Sequence, residues 1–167
     1  KFKKNHKIKV LLILSGIISL DLKLLKWLTF LLKEKNNLNI VIKPHPILPM
    51  KKLKISFLKK FRKNIFFSDK RLPDLLKSTK ISISSGPTSG TIESIAYGCF
   101  VISPILEPYD AINLKVLDIP KNSYKLVYDR INFVNQVKQN LKKNIAIKKK
   151  RNFFLKISKK NINIFFE

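Results

Sequence analysis

The 167-residue sequence is poor in the residue types that staple or metallate small proteins: it holds one cysteine, two histidines and four glycines. A single cysteine excludes a disulfide framework and a thiolate metal cluster. Cys99, between Gly98 and Phe100, reads as a small buried hydrophobe, in keeping with a reducing cytosol. His, Cys and Asp nowhere take metal-ligand spacing, so neither a metal nor a cofactor is expected, and no nucleophile–base pair can be read along the chain. Long hydrophobic runs are missing too. The uncharged run from Val10 to Leu20 is far shorter than the roughly 20 residues that cross a bilayer. Behind its basic start (KFKKNHKIK) it has the look of a signal peptide, but no small-residue cleavage site follows, so a buried strand ending at Ser15-Gly16 is the better reading.

Negative charge is also scarce. Ten acidic residues face 35 lysines and arginines, a formal net charge of +25. Such a balance suits a partner that is nucleic acid, an anionic membrane face or an acidic substrate. General enrichment in Lys, Asn and Ile, as an AT-rich coding bias produces, is the plainer account of it. An apolar fraction of 45% with 12 phenylalanines excludes global disorder and permits one sizeable core. No internal repeat or flexible linker divides the chain, so residues 1–167 read as a single domain. It does not open with methionine, which leads us to expect a fragment of a longer protein.

The most informative absence is local. From Ile81 to Leu114 (ISISSGPTSGTIESIAYGCFVISPILEPYDAINL) no lysine or arginine occurs, where the overall composition predicts about seven. Burial and close backbone contact with a ligand would both exclude them. Here a short strand (81–84) runs into hydroxyl residues and glycines, then a helical pattern (91–97), then a second strand (99–103). Strand, small-residue loop, helix is how α/β proteins present backbone N–H groups and a helix dipole to an anion.

Around this stretch, apolar periodicity sets the other elements. Strands are expected at 8–14, 39–43, 64–67 and 124–128. Helices are expected at 20–35, where Lys23, Lys26, Thr29 and Lys33 form one polar stripe, at 48–62 (strongly basic), at 73–78 with proline in its first turn, and at 131–143 behind an Asp129 N-cap. The tail from Asn144 is expected to be helical and packed back on the domain. Alternating strands and helices imply a Rossmann-like α/β fold: a parallel sheet with helices on both faces. The loops that follow the strands then gather on one edge, where such sheets bind ligands.

Several residues on that edge can carry chemistry. Ser84, Ser85, Gly86, Thr88 and Ser89 could hold a phosphate through hydroxyls, amides and the helix dipole, with Thr88 or Ser89 as N-cap. The segment is neither a P-loop nor a GxGxxG fingerprint. His45, set between Pro44 and Pro46 and near Lys43, is presented on a stiff segment and could hydrogen-bond a phosphate leaving group. Glu107 could accept bonds from a ribose diol or sugar hydroxyls. Glu93, inside the helix, is the more structural of the two acids, and His6 has no evident role.

KPHP after a strand, followed downstream by SSGPTSGTIESIAYGCFVI, resembles the C-terminal, donor-binding half of GT-B-fold glycosyltransferases of bacterial surface carbohydrates: polysialyltransferases, capsule Kdo transferases and CDP-glycerol polymer transferases. The resemblance covers roughly residues 9–143. It implies a CMP- or CDP-activated donor, His45 on the donor phosphate, and Ser84, Ser85, Thr88 and Ser89 on phosphate or nucleotide, while Lys43, Gly86 and Glu107 are expected to line the same site from their place on the edge. In that family the general base lies on an N-terminal domain, so this chain by itself would bind nucleotide without transferring sugar. A glycan or lipid-linked acceptor follows from the same resemblance, while a cytoplasmic location is expected from the lone cysteine and peripheral contact with an anionic membrane from the basic charge. A UDP-sugar 2-epimerase-like protein is an alternative on the same architecture. A basic nucleic-acid-binding module is another, although the lysines form no single stripe and no nucleic-acid motif appears. The sharpest expectation is geometric: His45 and the hydroxyls at 84–89 meet at one spot from adjoining strand tips.

Overall fold

A computed structural model describes residues 8–48, 53, 55–85, 88–107 and 120–143. The expected tail helix, Gly86, and the end of the lysine-free stretch beyond Glu107 lie outside these residues. The elements run β1 (Ile8–Ile13), α1 (Ile18–Glu34), β2 (Ile40–Lys43), a 3-10 helix (Ser56–Phe61), β3 (Ile65–Phe67), α2 (Leu72–Leu76), β4 (Thr79–Ser84), α3 (Ser89–Ala96), β5 (Phe100–Pro104), β6 (Tyr124–Val127) and α4 (Arg130–Lys142).

All six strands are parallel and lie in the order β3-β2-β1-β4-β5-β6. This is the doubly wound, Rossmann-like order, and the fold class expected from the sequence is the one observed. β1 and β4 sit at its centre, where both faces are covered, which is why Val10, Leu11, Leu12, Ile81 and Ile83 have no exposed surface at all. Strand alternation divides them. Val10, Leu12, Ile81 and Ile83 point into the larger core, with Leu24, Leu28 and Leu31 of α1 and Phe133 and Val137 of α4. Leu11, Ile13 and Val41 point the other way, onto Leu75 and Leu76 of α2 and onto Cys99.

Local sequence explains the element ends. α1 buries Leu20, Leu24, Leu25, Leu28, Leu31 and Leu32 and exposes Lys23, Lys26 and Lys33. Asp129 caps α4, its Oδ1 accepting the Asn132 N–H at 2.7 Å. Gly98 ends α3 with φ +77, a left-handed conformation that favours glycine. From β4, Lys80 donates to the carbonyl of Leu141 (2.8 Å) in the last turn of α4 and to that of Lys143 just beyond it.

The basic helix expected over 48–62 is not what the described residues form. They hold only the short 3-10 helix, closed by bonds such as Leu58 N–H to Ile55 O at 2.9 Å. It has no side-chain cap and no acid in its first turn. Lys59, Arg62 and Lys63 fall at i, i+3 and i+4, so like charges repel on any α-helical face they share.

Candidate functional site

The strand order puts the topological switch point between β1 and β4. From β1 the chain winds outward to β3, then returns to β4 on the other side. Loops leaving the carboxyl ends of β1 and β4 therefore diverge and open a crevice. His45 and the α3 N-terminus both lie on this edge, but their strands do not adjoin. β1 stands between them, with Ile13 in register with both Lys43 and Ser84. Their separation is thus two strand spacings, about 9.6 Å. The expectation of adjoining tips is corrected accordingly: hydrophobic pattern identifies strands, and only tertiary pairing orders them.

Three loops build the edge. After β1, Ser15 and Gly16 turn the chain into α1, with Gly16 at φ +88. The buried carboxylate of Asp21 holds this turn. Its Oδ1 accepts from the Ser15 N–H (2.7 Å) and hydroxyl (2.9 Å), and its Oδ2 from the Gly16 N–H (3.0 Å). After β2, Lys43 and His45 are half-buried. The Ile47 N–H donates to His45 Nδ1 at 3.3 Å, so a neutral ring carries its proton on Nε2, leaving Nε2–H as the donor it can offer. Gly16 lies directly against this ring. A Cβ built on Gly16 would meet His45 Nδ1 at 2.7 Å and Cγ at 2.8 Å.

The third loop follows β4. Thr88 caps α3, its Oγ1 accepting from the Thr91 N–H at 3.3 Å. Ser89 and Gly90 open the helix, so by helix geometry their N–H groups have no partner one turn back. Beneath them runs a seam of buried hydroxyls. Ser84 Oγ lies 2.7 Å from Thr91 Oγ1, Ser82 Oγ lies 2.9 Å from Ser94 Oγ, and Ser94 Oγ donates to Gly90 O at 2.6 Å. Gly90 adds close packing, since a Cβ there would sit 3.1 Å from Ile13 Cγ2. The small-residue character of this stretch thus serves helix–strand contact as well as any ligand.

The predicted residues divide along these lines. Thr88 and exposed Ser89 belong to the ligand edge at the α3 N-terminus, and Lys43 and His45 to the edge at β2. Ser84 and Ser85 are buried, the Ser84 hydroxyl being engaged with Thr91. Glu107, past β5, forms an ion pair with Lys23 of α1. Cys99 is buried with Sγ 3.4 Å from Thr79 O, and burial pushes its thiol up to about 12, so it stays protonated and unreactive near neutrality. Among the described residues no group of three or more His, Cys, Asp or Glu could hold a metal ion, and no helix is long and apolar enough to cross a membrane. Sequence reasoning passed over Asp21. Its signal was there: it is the one acid in the first 33 residues, set inside the apolar run IISLDLKLL.

The strand order and its switch point define a doubly wound α/β domain, an architecture that fits one half of a GT-B fold. No protein-family model matches the sequence, and no curated protein matches it. Solved structures do match the fold. The pneumococcal O-GlcNAc transferase GtfA, in complex with UDP and GlcNAc, superposes with a TM-score of 0.54 at 16% identity, over 95% of this chain and 33% of that one. A GtfA/B complex gives a TM-score of 0.50 at 14% identity, over 95% of this chain and 37% of the other. The chain therefore spans about a third of the length of these proteins, and at such identities the likeness is one of fold.

Proposed function

We propose that this chain is the nucleotide-sugar-binding half of a glycosyltransferase, with the donor's phosphate held at the switch-point edge. One observation carries the reading: a histidine presenting Nε2–H from β2 and a capped helix N-terminus from β4 flank the same strand tip, β1. The Ser89 and Gly90 amides, the Ser89 hydroxyl and the α3 dipole would hold one part of a phosphate group. His45, with Lys43 nearby, would hold the other. As the sugar departs, negative charge grows on the phosphate oxygens, and donors already placed there stabilise it more than the ground state. Ser84, Ser85 and Thr91 support the loop from beneath.

The KPHP and SSGPTSGT segments favour a CMP- or CDP-activated donor, and the UDP in one matching structure extends the choice to pyrimidine nucleotides generally. Glu107 serves the sugar in this reading, once the donor competes with Lys23 for it. Assembly of a surface polysaccharide at the inner membrane face, on a glycan or lipid-linked acceptor bound by a second domain, is the setting we propose. The test is calorimetric titration of the full chain with CMP, CDP, UMP and UDP, beside His45→Ala. At least one nucleotide is expected to bind at sub-millimolar concentration. The alanine variant should bind about tenfold or more weakly, as loss of a hydrogen bond to a charged group implies. No binding by any nucleotide, or equal binding by the variant, overturns the reading.

A further inference from the structure

In doubly wound folds the first βα turn is the customary seat of a ligand phosphate, because its amides and the following helix N-terminus face the crevice. Here that seat is filled from within. The Ser15 N–H, the Gly16 N–H and the Ser15 hydroxyl all donate to Asp21, at 2.7, 3.0 and 2.9 Å. The carboxylate is 1% exposed. Hydrogen bonds to a charged acceptor are among the stronger ones, so the turn is closely held. The Ser15 hydroxyl oxygen tightens it further by accepting the Ile17 N–H at 3.2 Å.

What the turn holds in place is Gly16, and Gly16 is the wall of the imidazole. Its Cα faces the Nδ1–Cγ side of His45 so closely that even a methyl group would collide with the ring. On that same side the Ile47 N–H donates to Nδ1. The ring is thus held on its Nδ1–Cγ side by the β1–α1 turn and by its own loop.

We propose that Asp21 is a positioning residue for His45: its carboxylate occupies the β1–α1 turn as an internal anion and, by fixing Gly16 there, sets the imidazole so that Nε2–H is presented to the ligand edge. A ligand phosphate is thereby steered from the α1 N-terminus towards α3 and His45. The steering clause rests on the nucleotide reading above. The Asp21–Gly16–His45 linkage does not.

The experiment keeps the two apart. Long-range ¹H–¹⁵N spectra of the labelled full chain report the imidazole tautomer, and with two histidines present, a His6→Gln variant assigns the signals. Under conditions where the ring is neutral, the wild type is expected to show a single His45 tautomer, with Nδ1 unprotonated. Gly16→Ala and Asp21→Asn are expected to give a mixed tautomer, whereas Ser15→Ala, which keeps both backbone bonds to Asp21, should retain the wild-type pattern. Thermal melts establish that each variant is folded. Titrated with UDP, the first two variants should bind about fivefold or more weakly and Ser15→Ala about as the wild type does. A wild-type ring protonated on Nδ1 overturns the proposal, as does a folded Gly16→Ala or Asp21→Asn whose His45 spectrum is unchanged. If Asp21→Asn does not fold, Asp21→Glu, which keeps the charge but displaces the oxygens from the Ser15 and Gly16 amides, takes its place, and an unchanged His45 spectrum in it overturns the proposal. Absence of UDP binding by the wild type, with the tautomer results as expected, removes the nucleotide reading and leaves the linkage standing.

Discussion

Replacing Ser84 by alanine separates a hydroxyl that builds the fold from one that holds a ligand. Ser84 Oγ is buried and lies 2.7 Å from Thr91 Oγ1, which also lies 3.1 Å from Thr88 Oγ1. Ser84→Ala therefore removes one of the contacts of a buried hydroxyl rather than orphaning it. A buried hydrogen bond of this kind contributes about 1 kcal/mol, and an unsatisfied partner raises the loss towards 2 kcal/mol. For a chain of this length each kcal/mol lowers the melting temperature by about 2–4 °C, so Ser84→Ala should melt about 2–8 °C below wild type. Thr91→Val should cost somewhat more, because the N-cap hydroxyl loses its neighbour as well. The double variant should fall short of the summed losses by about 1 kcal/mol, the coupling expected of groups in contact. Urea denaturation of the four proteins measures all three quantities. Nucleotide affinity, measured in parallel, should change less than about threefold in Ser84→Ala. An unchanged urea midpoint together with a tenfold loss of affinity would refute the structural assignment and make Ser84 a ligand residue.

Phe133→Ala removes a fully buried ring that packs 5.8 Å from Trp27 across α1 and α4 and should cost about 3–5 kcal/mol in urea denaturation. The Lys23–Glu107 pair is half-exposed at both ends, so Lys23→Ala should change stability by less than about 1 kcal/mol, least in high salt. Cys99 should resist a thiol reagent at pH 8 in the folded protein and react at once in urea. Its pH dependence has a definite sign. The thiol titrates near 9 in the unfolded chain and at about 12 in the fold, so its contribution is whole below about pH 9 and is lost as pH rises towards 12. The loss amounts to about 4 kcal/mol at most. Cys99→Ala should flatten that part of the stability profile relative to wild type.

Much of this fold was legible because its elements announce themselves locally. The lysine stripe of α1, the Asp129 cap and the glycine ending α3 each depend on residues within a turn or two of one another. Strand order does not. Nothing in Lys43-Pro44-His45-Pro46 or in Ser84–Ser89 says that β1 runs between them, because that order is made by the crossover through α2, which carries the chain from β3 back to β4 beside β1. The 48–62 segment misled because its apolar positions suit a helix while its clustered cations oppose one. The site was legible as a set of loops on one edge, and less so in the duties of single groups. A serine written for a phosphate and a serine written for a threonine 2.7 Å away look alike in sequence. Asp21 was missed for the opposite reason: an acid at the start of a helix reads as a favourable surface charge, and only the turn folded over it shows that it is buried.

The central claim is that one crevice, flanked by His45 and the start of α3, receives a nucleotide phosphate. Amide and imidazole NMR spectra recorded during a UDP titration test it most directly. The account predicts saturable shifts that are largest at the Ser89 and Gly90 amides and at the His45 ring. Shifts that fail to saturate by millimolar UDP, or that centre on the basic 3-10 segment at Lys59, Lys60 and Arg62, would contradict it.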